Sequence, residues 1–254
     1  MHNDEQLESK YRQITADNLH RRGHEFDDIG AHLANELYSD RTHFIYELLQ
    51  NAEDALARRS ASQPWSIFSH SVDFRLFPDR LEMCHFGQPF DDRDIASISD
   101  VFKSTKTEDL TQIGKKGIGF KSVYAFTHLP EVHSGPERFQ IERFIRLKLA
   151  APRPLVDDQT LFVLPFSGDE QERQEKFRQI RERLKNLDLR PLLFLRHIHD
   201  IIWSIEGESR GCYQHTYEDE GWARRVTVVT QRSESTAPTD WLVFQRPVKL
   251  VESC

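Results

Sequence analysis

Apolar positions change their spacing several times along the chain. The stretch before about Phe26 is rich in charge, with few apolar side chains, and predicts an arm or a short helix. Ile29, Leu33 and Leu37 then fall at helical spacing. The pattern breaks at Ser39-Asp40 and resumes from Thr42 to about Arg58, which predicts two helices joined by a short turn. After Pro64 the period becomes two. Val72, Phe74 and Leu76 share a face, Pro78-Asp79 marks a turn, and Leu81 and Met83 return, so a hairpin is predicted. Phe139 to Leu149 and Thr160 to Phe166 also read as strands. From Asp169 to Leu187 a heavily charged run carries Phe177, Ile180, Leu184 and Leu187 at helical spacing, the mark of an amphipathic helix with a narrow buried stripe. Ile198 to Ile205, Arg224 to Thr230 and Trp241 to Phe244 read as strands, with a polar loop from Gln231 to Thr239 between the last two.

Helices alternating with antiparallel strands predict an α+β fold, a two-layer sandwich whose mixed, mostly antiparallel sheet is covered on one face by helices. No repeat or linker divides the chain, so one unit is expected, with residues 1–25 as an N-terminal arm, 26–168 as a core and 169–254 as a charged helix plus β-rich extension. Its 254 residues, 38% hydrophobic with 17 Phe, suffice for a packed interior. The 34 basic and 41 acidic side chains give a net charge of −7, which argues against a general nucleic-acid coat. Cys84, Cys212 and Cys254 are too scattered for a disulfide framework or a paired-cysteine zinc site. Met1 to Arg12 lack the apolar core of a signal peptide and no stretch approaches a membrane span, so a reducing, cytoplasmic setting is expected.

Candidate chemistry starts in the helix from Thr42. At about 100° per residue, Asn51 lies about +40° and Asp54 about −20° from Glu47, so the three share one stripe beside the apolar sector of Phe44, Leu48, Leu49, Ala52, Ala55 and Leu56. Alone, that alignment is what many amphipathic helices show. Beside a phosphate it acquires a use, because a carboxamide oxygen is a hard ligand for Mg²⁺ and a carboxylate one turn away orients and deprotonates water.

The second element is Gly114-Lys-Lys-Gly117-Ile118-Gly119-Phe120-Lys121-Ser122. Closely spaced glycines let backbone N–H groups approach phosphate oxygens, and a helix starting near Phe120 would add its positive end. The run is neither a P-loop, since Phe120 separates Gly119 from Lys121, nor a Rossmann fingerprint, whose glycine order is reversed. Lys103, Lys106, Lys115, Lys116 and Lys121 concentrate positive charge here in an acidic protein. They suit phosphate, or an exposed basic loop. The polar segment 100–116 has the length of a lid.

ELLQNAEDA, HFGQPF, KSTKT, GKKGIGFKSVY and TLFVLPF, in that order over roughly residues 26–205, resemble the successive boxes of the GHKL ATPase superfamily, and within it the sacsin-type, chaperone-like ATPase domains. The resemblance implies a Bergerat-type fold, ATP and Mg²⁺ as cofactors, and slow ATP hydrolysis. Lid closure and self-association, as a homodimer or with a partner protein, would be coupled to a conformational change. It implies that Glu47 is the general base, Asn51 the Mg²⁺ ligand and Asp54 a supporting group. Gly114, Gly117 and Gly119 would be the phosphate-facing end of the lid, with Lys106, Lys115, Lys116, Ile118, Phe120 and Lys121 in the same boxes. Thr160 would lie on the strand beneath the adenine, and His85 and Gly87 in the base-binding box.

That box departs from the pattern. Many relatives begin it D-x-G-x-G, with an Asp that accepts from the adenine amino group, whereas this chain has His85-Phe86-Gly87-Gln88-Pro89. A neutral imidazole accepting one hydrogen bond predicts weaker discrimination between ATP and GTP. A histidine kinase would need a dimerising helical hairpin upstream, for which about 25 residues are too few. A nucleotide-sensing or interaction module without turnover is the remaining alternative. His197 and His199 would point to opposite faces of a strand, His128 and His133 read as surface or loop residues, and Trp203, Trp222 and Trp241 as core or interface aromatics.

Overall fold

A computed structural model describes residues 2–22, 41–99, 119–156, 158–232 and 235–244. The expected helix through Ile29, Leu33 and Leu37, the lid 100–116, and Lys103, Lys106, Gly114, Lys115, Lys116, Gly117 and Ile118 lie outside these residues. Ten strands form one sheet: β1 (Ser71–Phe77), β2 (Arg80–His85), β3 (Glu131–Ser134), β4 (Glu137–Glu142), β5 (Arg146–Leu149), β6 (Thr160–Pro165), β7 (Asp200–Ile205), β8 (Ser209–Asp219), β9 (Arg224–Arg232) and β10 (Ser235–Val243). Their order is β10-β9-β8-β7-β1-β2-β6-β3-β4-β5, and among the described residues only the β1–β7 pairing is parallel. The fold is α+β, as expected.

Alternation on β1 decides which face is covered. Val72, Phe74 and Leu76 are buried and share a core with Met83, Phe162, Val132 and the helical residues Phe44, Leu48 and Leu49. The opposite face carries Arg75, Glu82, Val163 and Glu131 in register. There a smaller cluster of Cys84, Leu161 and Val163 sits against Leu155. On this face Glu131 Oε1 accepts from His133 Nε2 and Arg153 Nε, both at 2.6 Å, while Oε2 accepts from Gln140 at 2.9 Å. Burial opposes ionisation of Glu131, but the hydrogen bonds from His133, Gln140 and Arg153 outweigh it and hold the carboxyl down at about 2. His133 is thus buried on a strand, contrary to the surface or loop position expected for it. Its polar character conceals β3 in the sequence.

The N-terminal segment is a 21-residue helix, α1 (His2–Arg22). It docks on β4 and β5 through Leu7 and Tyr11, which join the core, and through polar anchors. Tyr11 donates to Glu137 at 2.8 Å, and Asn18 donates to the carbonyls of Ser99 and Ile145. The helix α2 (Phe44–Ser62) buries Phe44, Ile45, Leu48, Leu49, Ala52, Ala55 and Leu56, the sector its spacing predicts. It ends at Gln63, before Pro64, where the α conformation is disfavoured. A short helix, α3 (Asp92–Ser99), follows β2, and α4 (Glu170–Lys185) begins at a capping box between Asp169 and Glu172. The turn α5 (Leu189–Leu192) leads towards β7.

Two further expectations change. Phe139 to Leu149 is a hairpin, β4–β5, because Arg143 and Phe144 take φ of 45° and 68° and reverse the chain. The expected polar loop 231–239 instead supplies the end of β9 and most of β10, whose side chains are largely exposed and so need no apolar alternation. Among the described residues no helix is long and apolar enough to cross a membrane.

Candidate active site

A cleft opens between α2 and α3. Asn51, Asp54, Ala55 and Arg58 line it from α2, Asp94, Ser97 and Ile98 from α3 and its first turn, and His85, Phe90, Phe120 and Phe162 from the sheet side and the connecting segments. Asn51 and Asp54 are exposed, while Glu47, two turns before Asp54, is half-buried with His43 Nε2 at 3.5 Å from its carboxylate. The stripe therefore borders the core as its spacing predicts.

Two distant segments seat on α2 through glycines. A Cβ built on Gly119 would collide with Oε2 of Glu47, so the glycine-box backbone approaches this carboxylate more closely than any other residue type allows. A Cβ on Gly87 would lie 2.6 Å from Ala55 Cβ and 2.7 Å from its carbonyl carbon. Gln88 N donates to Ala55 O at 2.9 Å in the same contact. Glu47 and Ala55 are eight residues apart, about 12 Å along a helix. Glu47 and Gly119 thus meet one helical turn before Asn51 and one residue before Phe120, both of which line the cleft, and His85, Phe120 and Phe162 give the cleft an aromatic end, with ring centroids 5.9–6.2 Å from one another where paired.

His85 is buried at the end of β2, and its Nδ1 accepts from Gly87 N at 3.0 Å. Burial, with the nearby Arg58 charge adding to it, pushes the imidazole down to about 4, so it is neutral. An accepting Nδ1 in a neutral ring leaves the proton on Nε2. The expectation that His85 accepts a hydrogen bond from a base is therefore corrected: its remaining nitrogen is a donor. At the same end Arg58 pairs with Asp94 at 2.9 Å, while its Nε is buried without a hydrogen-bond partner among the described residues.

Phe120 lines the cleft, but Lys121 does not. Its Nζ is buried and donates to the carbonyls of Ile98 and Phe144, both at 2.7 Å. The ammonium that the glycine box offers to a phosphate is instead committed to the C-terminal end of α3 and to the positive-φ turn between β4 and β5. Gly119 to Ala125 form a 3-10 turn in place of the expected helix near Phe120. Thr160 stands one strand behind His85 in register and shares a 2.6 Å hydrogen bond with Ser134, whose Oγ accepts from Phe90 N at 3.0 Å. It supports the cleft floor from beneath.

Glu53 has a structural task that the sequence does not separate from its neighbours. Its carboxylate accepts from the backbone N–H groups of Arg196, His197 and Ile198 at 2.7–3.0 Å and from His197 Nδ1 at 3.0 Å. It ties α2 to the start of β7. His197 is thus anchored on Glu53, and His199 stacks on His70 with centroids 4.7 Å apart. Trp203 is core, whereas Trp222 is exposed and contacts Phe244 at 5.6 Å.

Residues 82–142 match the Sacsin domain family model. That segment runs from β2 through α3 and the glycine box to β4, and so contains one wall and most of the floor of the cleft. Over 110 residues, 43% of its length, the chain is 36% identical to Protein NO VEIN of Arabidopsis thaliana. Over 108 residues, 39% of its length, the chain is 35% identical to human Sacsin. These similarities support a sacsin-like family. The matched regions are 4% and 2% of those two proteins, so the chain spans a small fraction of the length of its curated relatives.

Proposed function

We propose that this cleft binds a purine nucleoside triphosphate with Mg²⁺, ATP being the nucleotide that the sequence resemblance implies, and hydrolyses it slowly. The observation that carries the reading is the contact of Gly119 with Glu47. Two elements separated by some seventy residues, each suited by chemistry to a phosphate site, meet next in the chain to Asn51 and Phe120, which line a partly aromatic cleft.

The residues fit the group. Asn51 presents an exposed carboxamide to the cleft and makes no hydrogen bond among the described residues, so its oxygen is available to a hard cation. When bound, Mg²⁺ supplies charge neutralisation on the phosphate oxygens. Glu47 accepts the proton of the attacking water as the new oxygen–phosphorus bond forms and the bond to the bridging oxygen breaks. Phe120 and Phe162 exclude water and give a planar base an apolar floor. Lid closure by the 100–116 segment, self-association, and an attached or partner protein as the recipient of the conformational change complete the reading.

Calorimetric titration of the 254-residue chain with a non-hydrolysable triphosphate tests it. Binding is expected to strengthen when Mg²⁺ is added. In Asn51→Ala that Mg²⁺-dependent gain is lost, weakening the affinity by about tenfold, or about 1.4 kcal/mol. Absence of binding, or binding indifferent to both Mg²⁺ and Asn51, contradicts the proposal. The module without turnover is separated by phosphate release, which it would not show.

A further inference from the structure

We infer that Arg59 is a positioning residue of the cleft, acting through the Phe86–Gly87 peptide to fix His85 as the tautomer whose proton sits on Nε2. Its use in nucleotide binding rests on the reading of the cleft given above, whereas the proton is observable without any nucleotide. Arg59 is the last buried residue of α2, with its guanidinium over the Phe68 ring at 4.7 Å. It donates from Nη1 to the carbonyl of Phe86 at 2.9 Å, and from Nη2 to the exposed carboxylate of Asp158 at 3.0 Å. A planar trans peptide points its C=O and its N–H in opposite directions. The peptide whose oxygen faces Arg59 is the one whose N–H, that of Gly87, is aimed at His85 Nδ1 at 3.0 Å. One peptide unit thus links a guanidinium on α2 to a ring that lines the cleft.

The competing arrangement is the same peptide turned over. Such a turn changes ψ of Phe86 and φ of Gly87 and leaves the flanking Cα atoms in place. The seat of Gly87 on Ala55 and the Gln88–Ala55 hydrogen bond therefore do not prevent it. Glycine at 87 makes φ of either sign accessible. In the turned state the Phe86 oxygen faces Nδ1, which can meet it only as N–H, so a neutral ring carries its proton there and Nε2 becomes an acceptor. That state also sets the Gly87 N–H against the Arg59 cation in the interior, donor against donor, and takes the carbonyl from the guanidinium. Arg59 rejects it. A side chain outside the cleft lining therefore decides which nitrogen of the cleft histidine bears the proton.

The test is the long-range nitrogen–proton correlation NMR spectrum of the histidine rings in the whole chain, near neutral pH and without nucleotide, which separates a protonated ring nitrogen from a bare one. In the wild-type chain His85 is expected to carry its proton on Nε2, with Nδ1 bare. Arg59→Met stays apolar against Phe68 and removes the donor to Phe86, so the ratio of Nδ1–H to Nε2–H is expected to rise by at least about tenfold. Asp158→Ala removes only the exposed partner and is expected to keep the wild-type pattern. A wild-type proton on Nδ1, an unchanged pattern in Arg59→Met, or a changed one in Asp158→Ala overturns the inference. The first and last of these decide against it even if the Met variant does not fold. Failure of the wild-type chain to bind a non-hydrolysable triphosphate overturns the proposed function and leaves the coupling of Arg59 to His85 standing.

Discussion

Lys121 spends its charge inside the protein. Its ammonium joins the end of α3, which lines the cleft, to the carbonyl of Phe144, a residue at φ 68° in the turn between β4 and β5. Lys121→Met would leave both carbonyls without their donor. Hydrogen bonds to charged groups contribute about 1.5–3 kcal/mol, so a loss of about 2 kcal/mol is expected, read as a lower denaturant midpoint. At temperatures where the variant is folded, its phosphate-release rate should stay within about twofold of wild type; a hundredfold fall would return Lys121 to the phosphates. The lysine's place in a glycine-rich run gives no hint of this, because burial of a charge depends on carbonyls supplied from residues 98 and 144. Glu53 illustrates the same blindness. Sequence sets it beside Asp54, yet only the fold reveals that it faces three N–H groups of the 196–198 segment.

At the scale of elements, the two glycine seats on α2 predict opposite outcomes. Gly87 meets helix backbone and the Cβ of Ala55, which have nowhere to move, so Gly87→Ala should displace β2 from α2 and cost about 1–3 kcal/mol. Gly119 meets the far end of a flexible side chain, so Gly119→Ala should be nearly neutral in thermal stability while turning Glu47 aside and abolishing phosphate release. Equal losses of stability in the two variants would contradict this distinction. β1 alternates cleanly because its Val72, Phe74 and Leu76 face is buried and Arg75 on the other is exposed. β1, β2 and the apolar sector of α2 lie within a residue or two of where their spacing puts them. β3 escapes notice because Glu131 and His133 satisfy each other in the interior, and α1, expected only as an arm or a short helix, is longer than its sparse apolar positions suggest because polar contacts such as Tyr11 to Glu137 help to seat it. β10 escapes because exposure on an edge strand removes the need for a pattern. The glycine and carboxylate parts of the site were legible as residue types, whereas the proton on His85 depends on a contact two residues along the chain.

The whole molecule carries several groups whose proton affinity changes on folding, and they act in one direction. Burial pushes His85 down to about 4 and also depresses His199 and His215. Between the ordinary histidine value of about 6.5 and the depressed ones, the unfolded chain binds protons that the folded chain refuses, so stability falls as pH drops. His85 alone accounts for roughly 3 kcal/mol of that fall, complete near pH 4. Glu131, held at about 2, loses its stabilising contribution as pH falls from the ordinary carboxylate range towards that value. Denaturant midpoints should therefore decline continuously from about pH 7 to pH 4, and a flat profile would contradict the buried neutral state of His85. The central claim, that Glu47 and the glycine bend act together on a triphosphate, is tested most directly by single-turnover phosphate release and nucleotide affinity in Glu47→Ala. The account predicts affinity within about threefold of wild type and release reduced by at least about a hundredfold. Full turnover in that variant would contradict it.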